Sequence, residues 1–266
     1  MTAGRGGRER AVPAPAVPPE VYDEDYYLHE AEGHEQFGAG EIAGRYAFAL
    51  SRLALPPGGT LVDIGCGRGE LVMLALEQGA GRAIGIEYAE AALELARGAA
   101  AQRGLGDRVE LLAADARSIP LPDGCADGVA MLDVIEHLTP AEQGDALREV
   151  RRLLRPGGTL LVHTFPNRNI YETYGRIRRW WPGGRGWPAD PRSEIERTMH
   201  VGELTAAELR DALAGAAFTD IDVGHTPWIY TEHMPTRRSK ALLRRMARFG
   251  PTEHLAKASL LATARG

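Results

Sequence analysis

Short apolar runs alternate with helical stretches between residues 61 and 165, and this rhythm constrains the fold most strongly. Each run is continuously apolar, as strands covered on both faces of a parallel sheet are. The expected strands are Leu61–Ile64, Ala83–Glu87, Val109–Ala113, Val129–Leu132, Thr159–Phe165, Thr219–Gly224 and Ala256–Thr263. The expected helices are Ile42–Leu55, Leu71–Gln78, Ala89–Arg103, Pro140–Leu154 and Thr205–Ala216. The pattern predicts a doubly wound α/β domain whose ligand lies at the carboxyl ends of the strands.

The length of 266 residues suits a single domain of this type. Residues 1–20 are rich in Gly, Ala and Pro and predict a disordered tail. The remaining residues, 21–266, are expected to form one domain. Within it, residues 21–55 form an N-terminal cap segment, and residues 167–204 form an insert after the fifth strand.

The formal net charge of −5 argues against nucleic acid as a partner, because a phosphate backbone needs many basic contacts. No apolar run is long enough for a membrane span or a signal peptide, so a cytosolic location is expected. The two cysteines, Cys66 and Cys125, form neither a disulfide framework nor a metal-binding spacing, and no metal site is expected.

The first expected strand passes directly into the loop Gly65-Cys66-Gly67-Arg68-Gly69-Glu70 and then into a helix. Glycines let the backbone turn tightly and let a ligand approach closely, beside the positive end of the helix dipole. The dinucleotide fingerprint is G-x-G-x-x-G, whereas the third glycine comes one residue early in this loop. The loop therefore predicts a nucleotide site and disfavours a dinucleotide.

Acidic residues end the next two strands. Glu87 lies 20 residues beyond Gly67, where a carboxylate can accept hydrogen bonds from both ribose hydroxyls. Tyr88 follows it and can pack on an adenine ring. Asp115 and Ala116 follow the third strand, where an exocyclic adenine amine can donate to the carboxylate. Each acid alone is also explained as a solvated strand end, but both in register with a glycine loop favour an adenosine ligand.

Together with the segments 132–138 (LDVIEHL) and 154–158 (LRPGG), these motifs resemble the class I S-adenosylmethionine-dependent methyltransferases. The resemblance covers roughly residues 40 to 166 and the elements near the C-terminus. It implies a seven-stranded sheet with only the last strand antiparallel, S-adenosyl-L-methionine as cofactor and S-adenosyl-L-homocysteine as product. The cofactor contacts that it implies are Tyr27, His29, Asp63, Gly65, Cys66, Gly67, Gly69, Glu87, Tyr88, Asp115, Ala116, Asp133, Val134 and His137.

A hydroxyl acceptor needs a base beside it, which a histidine can supply. His200 is the first expectation, because it ends a loop near the strand termini, and His163 near the end of the fifth strand is the second. His137 is expected to pack against the cofactor rather than to take a proton.

The insert, residues 167–204, contains Trp180, Trp181 and Trp187 together with seven arginines. It is expected to be either a lid, in which an arginine grips an anionic group of the acceptor, or an oligomer contact that forms a homodimer. The resulting hypothesis is a bacterial enzyme that methylates a small molecule, with oxygen favoured, in natural-product or glycan biosynthesis. The alternatives are N- or C-methylation, a non-catalytic S-adenosylmethionine-binding subunit and a nicotinamide dehydrogenase.

Overall fold

A computed structural model describes residues 13–180, 186, 188–226, 245 and 259–266. Seven strands form one sheet in the order β3-β2-β1-β4-β5-β7-β6. The strands are β1 (Thr60–Ile64), β2 (Arg82–Glu87), β3 (Val109–Ala113), β4 (Ala126–Leu132), β5 (Leu154–Thr164), β6 (Thr219–His225) and β7 (Leu260–Arg265). Only β7 runs antiparallel to its neighbours, so the predicted doubly wound, mostly parallel sheet is confirmed.

Helices cover both faces of this sheet. They are α1 (Glu24–His29), α2 (His34–Gly38), α3 (Gly44–Leu53), α4 (Glu70–Glu77), α5 (Glu90–Gln102), α6 (Pro140–Leu153), α7 (Asn169–Trp180), α8 (Glu194–Met199) and α9 (Ala206–Gly215). The strand order reverses between β1 and β4, and in open α/β sheets such a switch point leaves a crevice for a ligand.

The hydrophobic core has two layers because side chains alternate between the two faces of each strand. Leu61 of β1 packs in a cluster with residues of α3 and α4, whereas the next residue, Val62, packs with residues of α6 and α9. Because successive side chains point to opposite faces, a continuously apolar strand supplies both layers. This burial fixes the strands and leaves their carboxyl ends, where the loops begin, available for a site.

The fifth strand begins earlier than the sequence predicts. The expected helix end at Leu154 is the first residue of β5, where Leu154 pairs with Ala126 of β4. Gly157 has a φ of +78° within this strand, a conformation that glycine adopts without a Cβ penalty. In the predicted last strand, residues 256–258 lie outside the described residues.

The predicted disordered tail is wrong for residues 13–20, while residues 1–12 lie outside the described residues. Val17 is only 3% exposed. The Ala16 amide donates to Oε1 of Glu142 at 3.0 Å, and Arg117 donates to the carbonyl oxygen of Pro13 at 2.8 Å. One buried apolar residue and a few backbone hydrogen bonds hold this stretch on the domain, which composition alone does not reveal.

No helix in the described part of the chain combines the length and apolarity that crossing a bilayer requires. The same residues contain no group of three or more histidine, cysteine or acidic side chains placed to hold a metal ion.

Candidate functional site

A pocket opens at the carboxyl ends of β1, β2 and β4, beside the switch point. All of the predicted cofactor residues except His29 and Gly69 line it. The residues brought together are Tyr27, Asp63, Gly65, Cys66, Gly67, Glu87, Tyr88, Asp115, Ala116, Asp133, Val134 and His137. Residues separated by more than a hundred positions in the chain therefore meet at one crevice.

The glycine loop brings bare backbone to the edge of this pocket. Gly65 has a φ of +69°, and a Cβ on it would lie 2.3 Å from Cγ2 of Val134. Gly67 has a φ of +49°, and a Cβ there would meet the ring of Tyr27 at 3.4 Å inside the pocket. Gly69 instead caps the N-terminus of α4, and a Cβ on it would lie 3.2 Å from Cβ of Ala96 of α5, so it serves helix packing.

Glu87 fixes the loop and the next helix at the same time. Its Oε2 accepts a hydrogen bond from the Gly67 amide at 3.1 Å, and its Oε1 accepts from the amides of Tyr88 at 2.8 Å and Ala89 at 3.1 Å. Burial raises the pKa of Glu87, and these backbone donors oppose that shift. The carboxylate thus lies at the pocket wall in a fixed orientation.

Asp115 is held by an arginine that the sequence analysis missed. Arg117 donates from Nε to Oδ1 at 2.8 Å and from Nη2 to Oδ2 at 2.7 Å. Burial disfavours ionisation of Asp115, but its hydrogen bonds and ion pair with Arg117 outweigh this and hold its pKa below the usual value. Arg117 follows the acid by two residues, but spacing alone does not show that it turns back onto it.

Asp133 is a fixed anion between two basic side chains. Its Oδ2 pairs with Nη2 of Arg45, and its Oδ1 lies 2.5 Å from Nδ1 of His163. Although burial opposes ionisation, Arg45 and His163 hold the pKa of Asp133 well below its usual range. His163 is 2% exposed and lies behind Asp133 rather than along the pocket. The expectation that His163 is a catalytic base is therefore replaced by a role in positioning Asp133, and Arg45 was not foreseen.

His137 is the imidazole that lines the described part of the pocket. Its Nδ1 lies 3.2 Å from the carbonyl oxygen of Met199, which can only accept, so Nδ1 carries the proton and Nε2 carries a lone pair. Burial and the neighbouring His200 lower the pKa of His137 to about 4. The ring is therefore neutral near pH 7.

His200, the first expectation for the base, packs behind His137 with its ring centre 5.0 Å away. Its Nδ1 lies 4.0 Å from Oε1 of Glu203, and burial lowers its pKa. The loop that contains His200 does reach the strand termini as expected. The group that it brings within hydrogen-bond distance of His137 is the carbonyl oxygen of Met199 and not a nitrogen of His200. The sequence could not show which of these two contacting rings lines the pocket, because that depends on how distant segments pack.

His29 does not reach the pocket. Tyr27 of the same helix is buried, and two residues later the helix has turned by about 200°, which carries His29 to the outer side. Its side chain is 68% exposed and lies 3.7 Å from Asp25. The structure therefore places His29 outside the pocket that was predicted to bind the cofactor.

Arg68 ties the glycine loop to the cap segment. Its buried guanidinium donates to Oε2 of Glu70 at 3.1 Å, to the carbonyl oxygen of Tyr27 at 2.6 Å and to that of Glu32 at 2.8 Å. An arginine within a glycine loop gives no sequence signal for this role. It holds the cap segment over the pocket.

The end of the insert attaches to the loop after β4. The Gly202 amide donates to the carbonyl oxygen of Glu136 at 2.9 Å, and Gln143 donates to the carbonyl oxygen of Gly202 at 2.6 Å. In the described part of the insert no side chain lines the pocket, and Trp181 and Trp187 lie outside the described residues. Three of its arginines pair with acids: Arg168 with Glu208, Arg176 with Glu172, and Arg192 with Asp190.

The glycine loop after β1, Glu87 at the end of β2, Asp115 after β3 and the seven-stranded sheet with an antiparallel last strand agree with the methyltransferase fold that the sequence resemblance implies. Residues 62–162 match the family described as methyltransferase domain. Residues 62–162, from β1 to β5, therefore form a methyltransferase domain.

Curated relatives agree. The chain is 32% identical over 200 residues to a probable S-adenosylmethionine-dependent methyltransferase of Mycolicibacterium smegmatis, a match that covers 75% of this chain and 62% of the relative. It is 32% identical over 120 residues to a ubiquinone/menaquinone biosynthesis C-methyltransferase of Hahella chejuensis, which covers 44% of this chain and 47% of the relative. Both matches span less than two thirds of the relative's length.

Among solved structures, that of the cyclase SpnF superimposes with a TM-score of 0.65 at 22% identity, covering 96% of this chain and 97% of that one. At this identity the likeness concerns the fold alone.

Proposed function

We propose that this chain is an S-adenosylmethionine-dependent methyltransferase that methylates a hydroxyl oxygen of a small molecule. The observation that carries the proposal is one pocket that joins Glu87 and the glycine loop at one side with the neutral imidazole of His137 at another. Glu87 and the glycine loop suit a nucleoside ligand, and the imidazole of His137 suits an acceptor that must lose a proton.

The described pocket fits the cofactor in charge and shape. Its lining acids outnumber its arginines, Arg45 and Arg68, and so favour a cationic ligand; the acids are Glu32, Asp63, Glu70, Glu87, Asp115, Asp133 and Glu142. Burial raises the pKa of Asp63, and a bound ammonium group would return that carboxylate to its ionised form. The positive φ of Gly67 and the space beside Tyr27 leave a cradle that a Cβ would narrow.

In this assignment Asp63 and the glycine loop hold the amino-acid part of the cofactor, Glu87 holds the ribose hydroxyls, and Asp115 with Tyr88 holds the adenine. When bound, S-adenosylmethionine supplies an electrophilic methyl group on a sulfonium. The protein's remaining task is to orient the acceptor, exclude water and remove one proton.

His137 is the residue that we assign to the proton. With the cofactor bound, the acceptor oxygen would bond to the methyl carbon as the carbon–sulfur bond breaks and the thioether of S-adenosylhomocysteine leaves. The hydroxyl proton would pass to Nε2 of His137, whose lone pair is available because Nδ1–H is donated to Met199. The ring of His200 packs edge-on against that of His137, and Asp133 provides a fixed negative charge nearby. C-methylation is the second candidate, because the Hahella relative is named a C-methyltransferase.

The test is incubation with methyl-labelled S-adenosylmethionine and a panel of phenols, sugars and amines, followed by NMR of the product. Label on oxygen supports the proposal, and label on carbon or nitrogen replaces the acceptor atom. Tight binding of S-adenosylhomocysteine with no transfer to any acceptor would favour a non-catalytic subunit.

Four finer proposals come from the sequence: an acceptor from natural-product or glycan biosynthesis, an anionic acceptor group, a cytosolic location and a homodimer. Carboxylated and phosphorylated sugars in the panel test the biosynthetic class of the acceptor and its anionic group. The acids of the described pocket weigh against an anionic acceptor. Sedimentation velocity tests the dimer.

A further inference from the structure

Residues 13–22, named here the N-terminal strap, form one wall of the pocket. Pro15, Ala16, Val17 and Tyr22 all line it. Val17 is 3% exposed and Tyr22 is 7% exposed, so the strap is packed and does not merely lie on the surface. Glu20 of the strap does not line the described pocket, and the ring of Tyr22 contacts that of His137 edge-on with centroids 5.7 Å apart. The strap therefore meets the pocket through apolar and aromatic side chains.

Three hydrogen bonds join the strap to the body of the domain. Arg117 donates from Nη2 to the carbonyl oxygen of Pro13 at 2.8 Å. The Ala16 amide donates to Oε1 of Glu142 at 3.0 Å. The Tyr88 hydroxyl donates to the carbonyl oxygen of Val17 at 3.3 Å. All three use the strap's backbone, so the strap's position depends on a few side chains of the domain.

One of those side chains, Tyr88, is itself assigned to the adenine, and another, Arg117, holds the second adenine residue, Asp115. Arg117 holds both carboxylate oxygens of Asp115 and donates from Nη1 to Oε1 of Glu142 at 2.9 Å, while its own side chain is only 4% exposed. Tyr88 packs against the ring of Tyr22 with centroids 5.6 Å apart. The strap therefore contacts the adenine side of the pocket at two independent points.

We propose that the strap is a wall of the adenosine half of the cofactor site, and that Arg117 is a positioning residue that holds the strap and Asp115 together. The inference rests on the proposed function, since it assigns adenosine to this side. Cofactor exchange then requires the strap to move, and loosening the strap speeds release of the product. The planar fork of arginine suits this role because its nitrogens reach three partners at fixed angles.

The test compares Val17→Asp with Ala14→Asp. The first places a charge at a buried strap position, and the second places the same charge at an exposed position of the same strap. Dissociation of labelled S-adenosylhomocysteine is followed after a chase with unlabelled ligand. We expect release at least tenfold faster for Val17→Asp and within twofold of wild type for Ala14→Asp. Affinity for 5′-methylthioadenosine, which lacks the amino-acid part, should fall by the same factor as affinity for S-adenosylhomocysteine.

Deleting residues 1–17 is a second route to the same answer, and it should speed release to a similar extent. Arg117→Lys should also speed release in the full chain and do so less in the shortened chain, because its partner Pro13 is then absent. Wild-type release rates in both Val17→Asp and the deletion would overturn the inference and leave the proposed function standing. Failure of the wild type to bind S-adenosylhomocysteine would instead overturn the proposed function, and the inference with it.

Discussion

Replacing Glu87 by glutamine changes one atom of the pocket wall and tests the role of this carboxylate. In the wild type, Oε1 accepts from two amides at the start of α5, and Oε2 accepts from the Gly67 amide. A glutamine keeps only one acceptor. If its oxygen stays opposite the two amides of α5, its NH₂ group faces Gly67 and the pocket, where it can donate but not accept.

The expected losses of affinity and stability in Glu87→Gln are worked out from the hydrogen bonds that are lost. A hydrogen bond to a charged group contributes roughly 1.5–3 kcal/mol, so losing one to a ribose hydroxyl should weaken binding of S-adenosylhomocysteine by roughly 10- to 150-fold. Leaving the Gly67 amide unpaired costs about 1–3 kcal/mol of folding stability. Part of this cost is offset, because burial already raises the pKa of Glu87 and a neutral amide avoids that penalty.

Titration calorimetry measures the affinity, and thermal unfolding measures the stability. Glu110→Gln is the matched control: Glu110 lies on the neighbouring β3, is 44% exposed and pairs with Arg82 at 2.6 Å. A surface pair of this kind contributes about 0–1 kcal/mol, and its loss should leave binding unchanged. Affinity of Glu87→Gln within twofold of wild type would refute the ribose assignment.

Three further substitutions follow from the same geometry. His137→Gln should lower kcat by roughly 100-fold or more while the affinity for S-adenosylhomocysteine changes less than threefold; an unchanged kcat would remove His137 from proton transfer. The wild type should also lose roughly 3 kcal/mol of stability between pH 7 and pH 4, because the unfolded chain takes up a proton near 6.5 and the folded His137 only near 4; urea unfolding should show this loss reduced in His137→Gln. Gly202→Ala should destabilise by roughly 1–3 kcal/mol, because its Cβ would lie 1.9 Å from a backbone oxygen, whereas Gly215→Ala, with nothing within 4 Å, should not. Arg68→Met should cost about 3–5 kcal/mol of stability, since it leaves Glu70 buried without its ion-pair partner, and an unchanged Tm would contradict the role of Arg68 in tying the glycine loop to the cap segment.

The sheet was predictable because its signal is local. Each parallel strand must be apolar on both faces, and this requirement is written in consecutive residues such as those of β1 and β4. The glycine loop and Glu87 were predictable for a related reason: the fold brings strand ends to one edge, so position in a strand implies position in the site. Strand boundaries were less certain, as the early start of β5 at Leu154 illustrates.

The remaining features depend on contacts between distant segments. Arg117 reaches Pro13 across 104 positions, and Arg45 reaches Asp133 across 88, and neither pair has a spacing that a sequence pattern could reveal. The choice between His137 and His200 depended on which of two stacked rings faces the pocket. Whether a side chain faces a pocket or packs behind another residue depends on contacts between distant segments, and histidine is found in both environments.

Titration calorimetry of the wild-type protein with S-adenosylhomocysteine and with NAD tests the central claim most directly. The pocket described above should bind S-adenosylhomocysteine at one site per chain with micromolar or tighter affinity, and it should show no heat with NAD. Binding of NAD, or no binding of S-adenosylhomocysteine at millimolar ligand, would contradict the assignment of this pocket to a methyltransferase cofactor.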